Sequence, residues 1–228
     1  LPAVPEEVLS LPGVHYGIFT NGASVRDFGK NTWVSESCLS WEETIRVIEV
    51  LRRHPVIYDM YVSEGGVSET RLLAQLEEYG IPERECAYIR ATRRAVTDMV
   101  EYLREKKCPV QKMNLNFKDR ESKQAVRAKL EAMPEVLVTS SLPWNLELNA
   151  AGVTKGSGLR NLCHYLGIEA VETMAFGDGE NDWSMLEAAG IGVAMENGAP
   201  FLKERADRIA ASNREDGVAE AIRQWVLI

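Results

Sequence analysis

Cysteine is scarce in this chain, four among 228 residues, and the four stand apart. Cys38, Cys86, Cys108 and Cys163 make no C-x-x-C pair and no Cys/His group at zinc spacing. That excludes a disulfide framework and a zinc finger, and leaves reduced, packed thiols of a cytoplasmic protein as the expectation. Histidine is rarer still, at three, and none stands at a telling spacing from a nucleophile. With no G-x-S-x-G either, serine-hydrolase chemistry is disfavoured. No apolar run approaches the ~20 residues of a membrane span. The opening residues show neither the basic nor the apolar region of a signal peptide. Positive charge is also short, 26 Lys and Arg against 34 Asp and Glu, for a net charge of −8. A general affinity for nucleic acid or acidic membranes is therefore not expected. There is no internal repeat and no low-complexity segment. Nothing in the sequence fixes an oligomeric state.

What the chain does have is short apolar strands alternating with amphipathic helices at both ends. "YGIFTNG" (16–22) reads as a strand running into a glycine turn. Towards the C-terminus "ETMAFGD", "IGVAM" and "RIAAS" read as strands, each followed by a helical stretch. Short connections of this kind predict a parallel sheet covered by helices. The middle differs. "SWEETIRVIEVLRRH", "SETRLLAQLEEYG", "RRAVTDMVEYLREKK" and "RESKQAVRAKLEAM" read as charged helices, the second capped by Ser68. Among them "TWVSESCL", "VIYDMYV", "VQKMNLNF", "EVLVTSS" and "NLELNA" read as strands, several alternating polar and apolar as in an antiparallel sheet with one wet face. The expectation is an α/β core formed by residues 1–29 and 150–228, with a second α/β unit, 30–149, inserted into it. Trp144 is expected to pack, and Arg90, Arg93 and Arg94 to form a solvated helix start.

The densest chemistry lies in "MAFGDGENDWSML" (174–186). Asp178 falls at the C-terminal end of a strand, where open α/β sheets bind ligands, and Asn181 and Asp182 follow in the first turn of a helix. Hard oxygen ligands crowded together suit Mg²⁺; an ordinary acidic helix start explains the same residues without a ligand. An EF-hand is excluded, since Trp183 and Ala189 stand where it needs Gly and Glu. Upstream, Lys155 in "GVTKGSG" begins an amphipathic helix at the end of the helix dipole least favourable to a cation. The same stretch does not make a P-loop. Beside an acidic metal site, an ammonium there would bridge a carboxylate and a phosphate.

Taken in order, "FTNGASVRD", "LELNAAGVTKGSGLRNLCHYLGI", "FGDGENDWSML", "IGVAMENGAP…ERAD" and "NREDGVAEAI" resemble the haloacid-dehalogenase superfamily, in its Cof-type, IIB-capped branch. The resemblance implies a Rossmann-like core with an inserted α/β cap. It also implies a Mg²⁺-dependent phosphomonoester hydrolase acting on small phosphorylated metabolites, with sugar phosphates the expected class. By match, Asp178 is the metal ligand and Asp182 supports the metal's water shell. Lys155 neutralises phosphate, and Asn181, Asn21 and Gly22 line the substrate cleft. In that family an aspartate nucleophile forms an aspartyl-phosphate, within an Asp-x-Asp motif on the first strand. No Asp-x-Asp pair occurs in these 228 residues. A segment of about 45 residues, the size of a βα unit with its flap, is expected to be missing, leaving the core incomplete at its N-terminus and this chain inactive by itself. A non-catalytic protein that keeps the pocket to bind phosphorylated ligands or a partner is the rival expectation.

Overall fold

The computed structural model describes residues 4–227. Three sheets organise them. The first is an antiparallel meander of β1 (Tyr16–Phe19), β2 (Ser24–Asp27) and β3 (Thr32–Glu36), with Tyr16 opposite Asp27 and Ser24 opposite Glu36. The second has six strands: β4 (Val56–Val62), β5 (Gly65–Glu69), β6 (Arg93–Val96), β7 (Lys112–Phe117), β8 (Val136–Thr139) and β9 (Asn145–Ala150). Their order is β6-β5-β4-β7-β9-β8. The third is parallel, β10 (Met174–Gly177), β11 (Ile191–Met195) and β12 (Arg208–Ala210). The chain is thus α/β, with a parallel-stranded part and a larger mixed sheet between its ends.

The N-terminal strand does not run parallel to anything among the described residues. Its connection to β2 is four residues, the turn Thr20–Gly22 and Ala23, far too short for a parallel crossover. β3, expected in the inserted unit, pairs instead with β2, so the six-stranded sheet begins only at Val56.

Alternation in the six-stranded sheet sets its two faces. Met113, Leu115 and Phe117 of β7 and Leu146 and Leu148 of β9 are buried. They pack with Ile45, Ile48 and Leu51, Met99 and Leu103, and Val126 and Leu130, from the helices Trp41–Leu51, Met99–Lys106 and Arg120–Glu131. Those helices begin where their caps dictate: Ser40 forms a full capping box with Glu43, and Asp98 and Asp119 each accept amide hydrogens of the first turn. The other face carries Lys112, Asn114 and Asn116 in β7 and Asn145, Glu147 and Asn149 in β9.

Two of the four expected helices are shorter than their periodicity suggested. Ser68 is not a helix cap; it lies in β5, donating its hydroxyl to the Tyr58 carbonyl. Likewise Arg93–Val96 is a strand beside β5, and the helix starts only at Met99. Arg93 is not solvated either. Its guanidinium pairs with buried Asp59 at 2.6 Å and lies over the Tyr61 ring, while Arg90 and Arg94 pair with Glu77 and Glu64. A buried charge whose partner, Asp59, lies on β4, one strand beyond the adjacent β5, overrides helix propensity there.

Candidate active site

The helix Lys155–Leu166 starts at a position fixed by close packing. Thr154 caps it: its hydroxyl accepts from the Ser157 amide at 3.0 Å, and its own amide donates to the Ser157 hydroxyl at 2.9 Å. Two glycines then let backbone touch backbone. A Cβ on Gly156 would lie 2.0 Å from the Ser184 carbonyl oxygen, and one on Gly22 would lie 2.0 Å from that of Thr154. Gly22 also has φ +97°, where only glycine is at ease. The turn 20–22, the start of the Lys155 helix and the helix Trp183–Ala188 therefore form one block. Gly156→Ala, facing a carbonyl that cannot swing away, is expected to cost about 2–3 kcal/mol. A lowered denaturant midpoint at unchanged slope would show it; an unmoved midpoint would mean the block has slack.

That packing aims Lys155 at Asp182. Lys155 Nζ donates to Asp182 Oδ1 at 2.5 Å, and Asp182 Oδ2 accepts the amides of Asp178 and Gly179, each at 2.9 Å. Asp182 is 6% exposed. Its carboxylate is what shapes the loop after β10, and Lys155 is what compensates its charge. Asp178, by contrast, is exposed at the end of β10, and its Oδ2 takes a single hydrogen bond, 3.2 Å from Asn197 Nδ2.

A second cluster gathers on β9. Glu147 Oε2 accepts from Asn21 Nδ2 at 2.8 Å and from Asn181 Nδ2 at 3.1 Å. Its Oε1 accepts from Lys112 Nζ at 2.7 Å and from the Ser141 hydroxyl at 3.1 Å. Burial pushes the pKa of this carboxyl up, but the Lys112 charge and the hydrogen bonds of Lys112, Asn21 and Ser141 outweigh it, holding the pKa below the ordinary glutamate value. Asn149 beside it donates to the Thr20 carbonyl at 2.8 Å and accepts from Asn21 at 3.1 Å. Those bonds support a strained turn, since Thr20 and Asn21 have φ of 49° and 60°.

The structure thus joins Asn21 to Asn181 and Lys155 to Asp182, the two pairs meeting in the short turn Glu180–Asp182. It does not open Gly22 to the cleft; the space over its α-carbon is filled by Thr154. Glu147 and Asn149 were not singled out from the sequence. The alternation in "NLELNA" places both on one face, but their partners lie far away along the chain.

Among the described residues no group of three or more His, Cys, Asp and Glu side chains is assembled into a metal cage. The donors present do fit Mg²⁺, which keeps most of its waters and takes one or two carboxylates plus phosphate oxygens. Asp178 offers an exposed carboxylate for that role, whereas the oxygens of Asp182 are engaged with Lys155 and two amides.

A family model described as haloacid dehalogenase-like hydrolase matches residues 5–222. The chain is 41% identical over 116 residues to a 5-amino-6-(5-phospho-D-ribitylamino)uracil phosphatase of Bacillus subtilis, covering 51% of this chain and 47% of that one. It is 38% identical over 96 residues to a phosphoglycolate phosphatase of Methanosarcina acetivorans, 42% of each. The matched stretches span about half, or less, of these relatives' length. Among solved structures, a haloacid dehalogenase-like hydrolase from B. subtilis superposes with a TM-score of 0.83 at 24% identity, over 96% of this chain and 82% of that one. A sugar phosphatase of subclass IIB superposes at 0.75 with 25% identity, over 94% and 77%. No helix among the described residues is long and apolar enough to cross a membrane.

Proposed function

This chain belongs to the haloacid dehalogenase-like hydrolases, and from that premise we propose that it forms the metal- and phosphate-binding part of a Mg²⁺-dependent phosphomonoesterase. The observation that carries this reading is the Lys155–Asp182 pair beside the exposed Asp178. Pairing with Asp182 accounts for one face of the Lys155 ammonium; its side chain is still 29% exposed, beside an exposed carboxylate, which supports a second, ligand-facing role.

Each residue has a part. Lys155 places its ammonium where a phosphoryl oxygen would sit, and Asp182 fixes that ammonium. Asp178 holds the cation, which when bound neutralises phosphoryl charge. Asn181 and Asn21 present side-chain amides at the other side of the turn, oriented by Glu147. Phosphoryl transfer depends mostly on such positioning and charge neutralisation. The substrate class proposed is a small phosphorylated metabolite, a sugar phosphate first, selected by the polar face of the six-stranded sheet acting as a cap.

The nucleophile is a separate matter. No Asp-x-Asp pair occurs in these 228 residues, and β1 and β10 each pair on one side only among the described residues. We infer that the attacking carboxylate comes from outside this stretch, and that these residues alone bind phosphorylated ligands without turnover.

The test is binding of orthophosphate and hydrolysis of p-nitrophenyl phosphate by the 228-residue protein, each with Mg²⁺ and with EDTA. Phosphate binding that needs Mg²⁺, with no hydrolysis, is expected. Mg²⁺-dependent hydrolysis would place a nucleophile within these residues and overturn the inference about it. Phosphate binding indifferent to EDTA would remove the metal role of Asp178.

A further inference from the structure

A cavity of about 550 Å³ opens at the end of β7 beside the start of the Arg120–Glu131 helix. Its wall holds Lys118, Arg120, Lys123 and Arg127 against one acid, Asp119, together with Trp144. In a chain of net charge −8, four cations around one hollow make a concentrated positive field.

Nearby carboxylates answer only part of that charge. Lys118 pairs with Glu78 at 3.3 Å, and Arg127 divides itself between Glu131 at 2.8 Å and Glu180 at 2.9 Å. Asp119 is occupied as a helix cap by the amide and hydroxyl of Ser122. Arg120 has no carboxylate partner among the described residues. Lys123 is held by neutral acceptors alone: the Ser140 hydroxyl at 3.0 Å and the carbonyls of Pro143 at 2.9 Å and Leu142 at 3.4 Å. Burial, and then the charge of Arg127, push its ammonium below the ordinary lysine range. Glu180 offsets part of this from a distance, but no carboxylate touches the ammonium, and a half-buried cation so placed is a position an anion would relieve.

Trp144 supplies the other half. Expected to pack, it is instead 43% exposed on the cavity wall. An indole face left open beside fixed cations suits a flat ring bearing an anionic group.

We propose that this cavity binds a small phosphorylated molecule with a planar ring, at a site separate from Lys155 and Asp178. Arg120 and Lys123 meet the phosphate and Trp144 the ring. Arg127 ties the cavity to the candidate active site, because the same guanidinium holds Glu180, the first residue of the turn that carries Asn181 and Asp182. A phosphate that draws Arg127 competes with Glu180, so cavity occupancy and the turn are coupled, and by linkage each affects the other.

Uridine monophosphate is the probe, added to metal-free protein so that binding is read without turnover, by calorimetry and indole fluorescence. Saturable binding is expected, with the fluorescence change lost in Trp144→Phe. Arg120→Gln with Lys123→Met should weaken affinity at least about tenfold, as two charge-assisted contacts are removed. Lys155→Met, which reaches the cavity only through the Glu180–Asp182 turn, should weaken binding far less than Arg120→Gln. Because Lys123→Met could loosen the 140–143 turn, Arg120→Gln alone is measured as well; its side chain is exposed and it should weaken binding by itself. Binding lost in Lys155→Met and kept in Arg120→Gln would assign the ligand to the phosphoryl site and overturn the proposal. So would failure to saturate.

Discussion

Lys155→Met is expected to lower phosphate affinity, and any turnover the completed site supports, by about 10²–10³-fold, the usual effect of removing one fixed group that stabilises anionic charge. Stability should fall with it. Asp182 would remain buried with its charge unanswered, which costs about 2–4 kcal/mol. The lower end applies if water reaches Asp182 through the space left by Lys155, whose side chain is 29% exposed. The double variant Lys155→Met, Asp182→Asn separates the two roles. Removing both charges should restore much of the stability, since an unpaired buried ion is worse than no ion, while phosphate affinity stays lost. Urea midpoints and phosphate titrations on the three proteins decide it. A Lys155→Met protein that unfolds earlier but binds phosphate normally would reduce Lys155 to a structural partner of Asp182.

The second large effect is expected at Glu147. Glu147→Ala strips Lys112, Asn21, Asn181 and Ser141 of their shared acceptor in a buried setting, and Lys112 is itself only 14% exposed. A loss of about 3–5 kcal/mol follows from leaving a buried cation uncompensated. In a chain of this length each kcal/mol lowers the melting temperature by about 2–4 °C. Glu147→Gln keeps two acceptor lone pairs and should lose less. The pH dependence carries its own signature. Because the folded protein holds this carboxyl below its ordinary value of 4.5, its stabilisation is complete above that value and disappears as pH falls through the lower folded one. Melting temperature between pH 6 and pH 3 should therefore drop more steeply in the parent than in Glu147→Gln. Parallel slopes would mean that Glu147 is not a depressed carboxylate.

The residues nearest the proposed phosphate were legible in the sequence because their signal is local. Asp178, Asn181 and Asp182 sit within five residues, Asp178 between Gly177 and Gly179, and an apolar run points to the strand they follow. Lys155 was legible for a different reason, as a cation placed against a helix dipole. Glu147 was not, because its meaning lies in Asn21 and Asn181, each from a distant part of the chain, and "NLELNA" reads equally well as any strand with a wet face. The same limit hid β5 and β6. Arg93 looked like one member of a helix-start triplet, and only Asp59 on another strand makes it a buried strand residue. For Gly22 the structure supplies a reason the sequence does not show, a left-handed backbone and the Thr154 carbonyl against its α-carbon. Trp144 inverted expectation, since the hairpin that carries it turns outward over the cavity instead of into the core.

Asn21 and Asn181 are bonded across 160 positions of chain, with Glu147 between them. During synthesis at about 5–20 residues per second, the turn at Thr20 and Asn21 therefore waits some ten to thirty seconds for its last partner to leave the ribosome. For most of that interval its left-handed residues have only the flanking β1–β2 pairing, since Glu147 and Asn149 follow 126 and 128 positions behind Asn21. The six-stranded unit, whose pairings fall between Val56 and Ala150, is complete earlier and can fold while the ends of the chain are still apart. The turn proposed to bind phosphate is thus an end product of folding, completed after the six-stranded unit.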